Sequence, residues 1–223
     1  MNPADLARRI QHTLLKITAT RSDILRLCAE ARSHNFQAVC VQPMWVPLAA
    51  DSLRGSSTVV CAVADFPHGA GSIPGVMAEV RELTRLGAAE IDVVCKIGFL
   101  RSRMYDAFQA HLAAVVEAAG GALTKVILES ALLTDHELAR AINLAVAAGM
   151  DYIKTASGFN GPGATVEMVA RMHQLAAGRI KIKAAGGIRS RADAEAMLAA
   201  GADCLGTSSG VAIVSGTPSE NAY

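Results

Sequence analysis

The chain has 223 residues, 52% of them hydrophobic, 18% charged and only 4% aromatic, and its formal net charge is +1. That apolar content and near-neutral charge exclude intrinsic disorder and supply enough material for one large core. Lys and Arg (21) balance Asp and Glu (20) with no basic run, which excludes a nucleic-acid binder driven by bulk charge.

Short β-branched runs alternate with Ala/Leu-rich amphipathic segments. Predicted strands are Ile10–Thr13, Ala38–Val41, Thr58–Ala64, Glu90–Cys95, Lys125–Glu129, Tyr152–Thr155, Ile180–Ala184 and Cys204–Gly206. Helical patterns occupy 22–34, 72–87, 103–119, 135–148, 165–177 and 190–200, and 43–53 is a short irregular piece. Gly87, Gly149 and Gly201 sit just before strands and fit helix C-caps. Eight strands separated by helices predict parallel βαβ units, and the strands read as near-continuous apolar runs covered on both faces.

An open doubly wound sheet announces itself with a Gly-rich turn after its first strand. Here that turn is Leu14-Leu15-Lys16. Glycines cluster instead late in the chain, at Gly158, Gly186-Gly187, Gly206 and Gly210, as in a barrel with late phosphate loops. The expectation is therefore a single (β/α)8 TIM barrel over residues 1–223.

Five cysteines at wide spacings, with no CxxC, read as reduced buried thiols. The six histidines form no HxH or HxxxH, so no metal ligand set and no cofactor is expected. The charge-free stretches 33–50 and 204–219 are broken by Gln, Pro, Gly and Ser, so no membrane span is expected. Residues 1–5 lack a signal-peptide pattern, and a cytoplasmic location follows as the expectation.

Lys154 ends a predicted strand before the small, flexible segment Thr155-Ala156-Ser157-Gly158. In a barrel mouth, desolvation and a positive neighbour would free its amine for attack on a carbonyl; on the rim it would be a solvated charge. Lys183 repeats the design one strand later, and two nearby ammonium groups disfavour double protonation. Asp92 sits inside the apolar run Ile91-Asp92-Val93-Val94, so it must be paired or functional. It can shuttle protons, hold a lysine by a salt bridge, or do both. Gly186-Gly187-Ile188-Arg189 and Gly206-Thr207-Ser208-Ser209-Gly210 form a predicted phosphate cradle, with a short helix starting near Ser208.

These residues together resemble the 2-deoxyribose-5-phosphate aldolase family over essentially the whole chain. The resemblance runs from His12-Thr13-Leu14-Leu15-Lys16 through Phe66-Pro67-His68-Gly69 and Glu90-Ile91-Asp92-Val93-Val94. It is most specific at Lys154-Thr155-Ala156-Ser157-Gly158-Phe159, Lys183-Ala184-Ala185-Gly186-Gly187-Ile188-Arg189 and Gly206-Thr207-Ser208-Ser209-Gly210. It implies a (β/α)8 class I aldolase that needs no metal. Lys154 would form the Schiff base, Lys183 would perturb it, and Asp92 would transfer protons with a water. Gly158, Gly186, Gly187, Arg189, Gly206, Ser208 and Ser209 would surround the phosphate of a sugar-phosphate substrate. Homodimers are common in similar proteins.

The chain departs from the family pattern at four places. Gln11 stands where Asp is usual, Lys96 for Asn, Asp65 for Gly and Gln42 for Asn. These changes leave open a Schiff-base aldolase acting on another aldehyde pair, and beyond it a catalytically silent sugar-phosphate-binding barrel. The tail Ser219–Tyr223 is either a frayed terminus or a carrier that brings the Tyr223 phenol to the mouth as a proton relay.

Overall fold

The computed structural model describes residues 1–217, so the predicted role of Tyr223 lies outside the described residues. Eight parallel strands close into a barrel in chain order. They are β1 (Ile10–Leu14), β2 (Ala38–Val41), β3 (Val59–Ala64), β4 (Glu90–Val94), β5 (Leu123–Ile127), β6 (Tyr152–Lys154), β7 (Lys181–Ala185) and β8 (Cys204–Thr207). The helices are α1 (Pro3–Ala7), α2 (Arg21–His34), α3 (Val46–Ser52), α4 (Ile73–Arg85), α5 (Ile97–Arg101), α6 (Tyr105–Ala119), α7 (Asp135–Ala147), α8 (Val166–Ala176), α9 (Arg191–Ala199) and α10 (Gly210–Ser215). Among the described residues no helix is long and apolar enough to cross a membrane.

Local chemistry explains the helix starts. Thr20, Thr134 and Ser190 each close a capping box with the acidic residue three positions on, Asp23, Glu137 and Asp193. The predicted fifth strand is displaced: it spans Leu123–Ile127, and Glu129 turns into the left-handed region at φ 50°. The segment expected to be irregular at 43–53 is a 3-10 turn, Pro43–Trp45, running into α3. Helices α1 and α5 were not anticipated; each is five residues long, too short to show an amphipathic period.

The strands are not uniformly apolar, contrary to the expectation from their sequence. They alternate with period two, as strand geometry requires. Ile10, Val39, Val41, Ile91, Val93, Val126, Ile153, Ile182, Ala184 and Leu205 join the large core between sheet and helices. The intervening positions face the barrel axis, and there the chain places Gln11, Glu90, Asp92, Lys125, Lys154 and Lys183, all buried. A small apolar cluster of Leu15, Ala38, Cys40, Cys61 and Val63 fills one side of the same interior.

Candidate active site

Asp92 is the centre of the interior. Its Oδ2 accepts from Lys154 Nζ at 2.8 Å and from Lys183 Nζ at 2.6 Å, and its Oδ1 accepts from Lys125 Nζ at 2.9 Å. The three predicted catalytic residues therefore meet on one carboxylate. Lys154 and Lys183 are register partners across β6 and β7, which places both amines at the same height. Burial pushes the pKa of Asp92 up, but the ammonium groups of Lys125, Lys154 and Lys183 outweigh it and hold the carboxyl well below its usual range.

The electrostatics expected for the lysine pair changes accordingly. Burial favours a neutral Lys183, yet the Asp92 carboxylate beside it raises its pKa above that of an ordinary lysine. Lys183 is thus a fixed cation next to Lys154, held by the carboxylate between them.

Lys125 and Glu90 were not singled out from the sequence. Lys125 Nζ reaches Glu90 Oε2 at 2.5 Å, and the same oxygen accepts from Gln11 Nε2 at 2.7 Å. Lys183 in turn donates to Gln11 Oε1. The ring Lys183–Gln11–Glu90–Lys125–Asp92 closes on itself. Gln11 is the second residue of β1 and fully buried.

Above Lys154 a cavity of about 290 Å³ opens at the C-terminal end of the strands. Of the residues expected at the site, Lys154, Gly158, Gly186, Gly187, Arg189, Gly206 and Ser208 line it. Ser209 is not among the lining residues: its N–H turns back to Thr207 Oγ1 at 2.9 Å. The predicted short helix exists, but it begins at Gly210 and is six residues long, so its dipole is weak. The lining on this side is mostly glycine-rich loop, with Arg189 at its edge. Thr13, Ser157, Phe159 and Thr207 are among the other residues of the wall. All four stand inside the sequence segments that carry the family resemblance, but only the closed barrel brings them to one wall.

Two close approaches shape this mouth. A Cβ on Gly163 would lie 2.4 Å from the Gly186 backbone, and Ala164 N–H donates to Ala185 and Gly186 carbonyls at 3.1 and 3.0 Å. A Cβ on Gly206 would come within 3.0 Å of Lys183 Cε, so this glycine makes room for the lysine stem. Glu129 Oε1 accepts from Ser157 N–H at 3.0 Å and Asn160 Nδ2 at 3.2 Å, and Asn160 Nδ2 also donates to Pro67 O at 2.5 Å. The loops after β3, β5 and β6 are joined at this point.

Two departures from the family pattern prove to be partners. Lys96 Nζ lies 2.5 Å from Asp65 Oδ2 and donates to Gly71 O, with both side chains almost fully buried. Asp65 has φ 52°, a conformation natural to glycine and tolerated by Asp, and its Oδ1 accepts from Gly71 N–H at 2.8 Å. The exchange is one salt bridge that pins the loop after β3. Gln42 donates to Leu15 O at 3.1 Å, a backbone contact that Asn is one methylene shorter to make. Cys40, Cys61 and Asp92 place ligand-type atoms within 4.8 Å of one another. The three ammonium groups on Asp92 oppose a dication there.

Comparison with known proteins agrees with this geometry. Residues 8–216 match the family described as DeoC/LacD family aldolase. The deoxyribose-phosphate aldolase of Lysinibacillus sphaericus is 49% identical over 98% of this chain and 99% of its own length. That of a Geobacillus species is 46% identical over 98% of this chain and 99% of its own length. Among solved structures, a tetrameric deoxyribose phosphate aldolase from Aeropyrum pernix superposes with a TM-score of 0.91 at 33% identity, covering 96% of this chain and 91% of that one.

Proposed function

The chain belongs to the DeoC/LacD family of aldolases, carbon–carbon lyases, and from that premise we propose that it cleaves 2-deoxy-D-ribose 5-phosphate reversibly through a Schiff base on Lys154. The observation that carries this reading is the position of Lys154. Its amine lines the cavity from below and shares one Asp92 oxygen with Lys183, while the far wall offers glycine backbone and Arg189 to a phosphate.

In the cleavage direction the Lys154 amine adds to C1 of the open-chain sugar and water leaves, forming the imine. Asp92, Lys183 and a water move the protons. Removal of the C3 hydroxyl proton breaks the C2–C3 bond, and its electrons pass into the protonated imine. Glyceraldehyde 3-phosphate departs, and the enamine carbon takes a proton. Hydrolysis then returns Lys154 and releases acetaldehyde. The protonated imine is itself the electron sink, so this route uses neither metal nor cofactor. Gly158, Gly186, Gly187, Arg189, Gly206 and Ser208 bind the phosphate, with Ser209 supporting Thr207 behind them.

Because Asp65 and Lys96 satisfy each other, their departure from the family pattern calls for no change of substrate. We read the whole chain as one domain, the enzyme as cytoplasmic and capable of forming a homodimer, and neither nucleic acid nor membrane as a partner. Acetaldehyde with borohydride should add an ethyl group to Lys154, and Lys154→Leu should abolish turnover while the barrel stays folded. Unphosphorylated deoxyribose should lose roughly 10²-fold in kcat/KM, the worth of one or two charge-assisted hydrogen bonds. Labelling at Lys183, or equal handling of the two sugars, would overturn the respective assignment.

A further inference from the structure

Two thiols lie in the barrel floor and take no part in the mechanism above. Cys40 on β2 and Cys61 on β3 are register partners on adjacent strands. Both face the interior, in the same small cluster, and their sulfurs lie within 4.8 Å of each other. Neighbouring strands run about 4.8 Å apart, inside the roughly 4.4–6.8 Å Cα separation that disulfides span. Cys61 Sγ also donates to Asp92 Oδ1 at 3.1 Å and accepts from Lys125 Nζ at 3.5 Å. The pair is therefore wired to the carboxylate that holds Lys154.

The remaining cysteines are differently placed. Cys28 is on α2, Cys95 follows β4 and donates to Leu128 O, and Cys204 faces Lys183 across β7 and β8. Burial pushes their thiols up to about 11, 12 and 12. Cys40 differs: its hydrogen bond with Cys61, aided by Lys183 and Lys154, draws it down to about 6 despite burial.

We propose that Cys40 and Cys61 form a peroxide-oxidisable dithiol whose closure to a disulfide takes the Cys61 donor from Asp92 and switches the site off. The oxidant is hydrogen peroxide, smaller than any aldehyde that must reach Lys154. The Cys40 thiolate attacks one peroxide oxygen and the O–O bond breaks. Hydroxide leaves and takes up the thiol proton as water, and Cys40 becomes the sulfenic acid. The Cys61 sulfur then displaces hydroxide from Cys40, the S–S bond forms, and the Cys61 proton completes a second water. Two thiols lose two electrons, and one peroxide gains them. A bond between directly facing residues of parallel strands is strained, which makes it readily reducible and the change reversible.

The test treats the full chain with hydrogen peroxide and reads mass and activity in parallel. The expected product is about 2 Da lighter. Its Cys40 and Cys61 peptides are linked and resist iodoacetamide, while Cys28, Cys95 and Cys204 stay reduced. Activity should fall in proportion to the linked fraction and return with dithiothreitol. In Cys61→Ala, Cys40 lacks a resolving thiol, so peroxide should carry it to the sulfinic acid and the loss should become irreversible. Alkylation of both cysteines after peroxide treatment overturns the proposal, as does activity lost without linkage. The mass readout does not depend on the aldolase assignment, so failure of one is distinguishable from failure of the other.

Discussion

At the scale of single residues, the polar barrel interior turns on Gln11. Its amide uses both ends, accepting from Lys183 and donating to Glu90, in a space that holds three ammonium groups against two carboxylates. An amide can do this and a carboxylate cannot, because a carboxylate has no donor. Gln11→Leu should strand both charged neighbours and lower unfolding free energy by about 3 kcal/mol, measured by urea titration. Gln11→Asp should keep the Lys183 contact and restore charge balance. The added negative charge stabilises ammonium forms nearby, so the acid limb of the pH–rate profile should move up by about a unit. An unmoved limb would show that Gln11 acts through packing alone.

At the scale of elements, the mouth is held by loops bound to one another. The Asp65–Lys96 pair joins the turn after β3 to the start of α5. Removing one buried partner leaves the other uncompensated, so Lys96→Ala should cost about 3 kcal/mol. Asp65→Gly with Lys96→Asn removes both charges and relieves the left-handed backbone at position 65. That double variant should be more stable than Lys96→Ala, and a double-mutant cycle reads the coupling. The loop after β6 is a second case. Gly163→Ala would force the segment 158–164 away from Gly186, because the added carbon meets backbone at 2.4 Å. A displacement near 1 Å at a reacting centre costs about 10²-fold, so kcat/KM should fall to that extent with only a modest loss of melting temperature.

At the scale of the whole molecule, cohesion and chemistry occupy different layers. The apolar shell between sheet and helices supplies the stability, and the barrel interior spends some of it to keep charges out of water. Buried polar groups also lie outside that division. His111 on α6 is 1% exposed, and neither ring nitrogen has a hydrogen-bond partner among the described residues. Burial, and then Lys96, draws its pKa from 6.5 to about 4. Below pH 6.5 the unfolded chain therefore binds a proton that the folded chain refuses. Stability falls as pH drops from 6.5 towards 4, by about 3 kcal/mol at the limit. His111→Leu should remove that slope between pH 7 and pH 4.5 in urea titrations and stabilise the fold at acid pH. A slope equal to that of the parent protein would place the acid sensitivity elsewhere.

What the sequence by itself determined is the content of each local segment and the residues of the late loops. The capping residues Thr20, Thr134 and Ser190, the strand runs, and the Lys154, Lys183 and Gly186-Gly187 motifs are all short-range signals, legible because they depend on near neighbours. The alternation of β-branched runs and helices was enough for parallel βαβ units, since parallel strands need helical crossovers, and the late glycine clusters chose the barrel over an open sheet. Only closure decided which inward residues meet. Gln11 and Lys183 are 172 residues apart, and Lys125 lies 33 from Asp92, 35 from Glu90 and 64 from Cys61. Nothing in the run Leu123–Ile127 marks Lys125 as interior; it reads as a lysine in an apolar strand until the register with β4 sets it opposite Asp92. The same holds for Asp65 with Lys96 and for Cys40 with Cys61. Each pair shares no local pattern, because register and strand tilt are collective properties of eight strands closing on one axis.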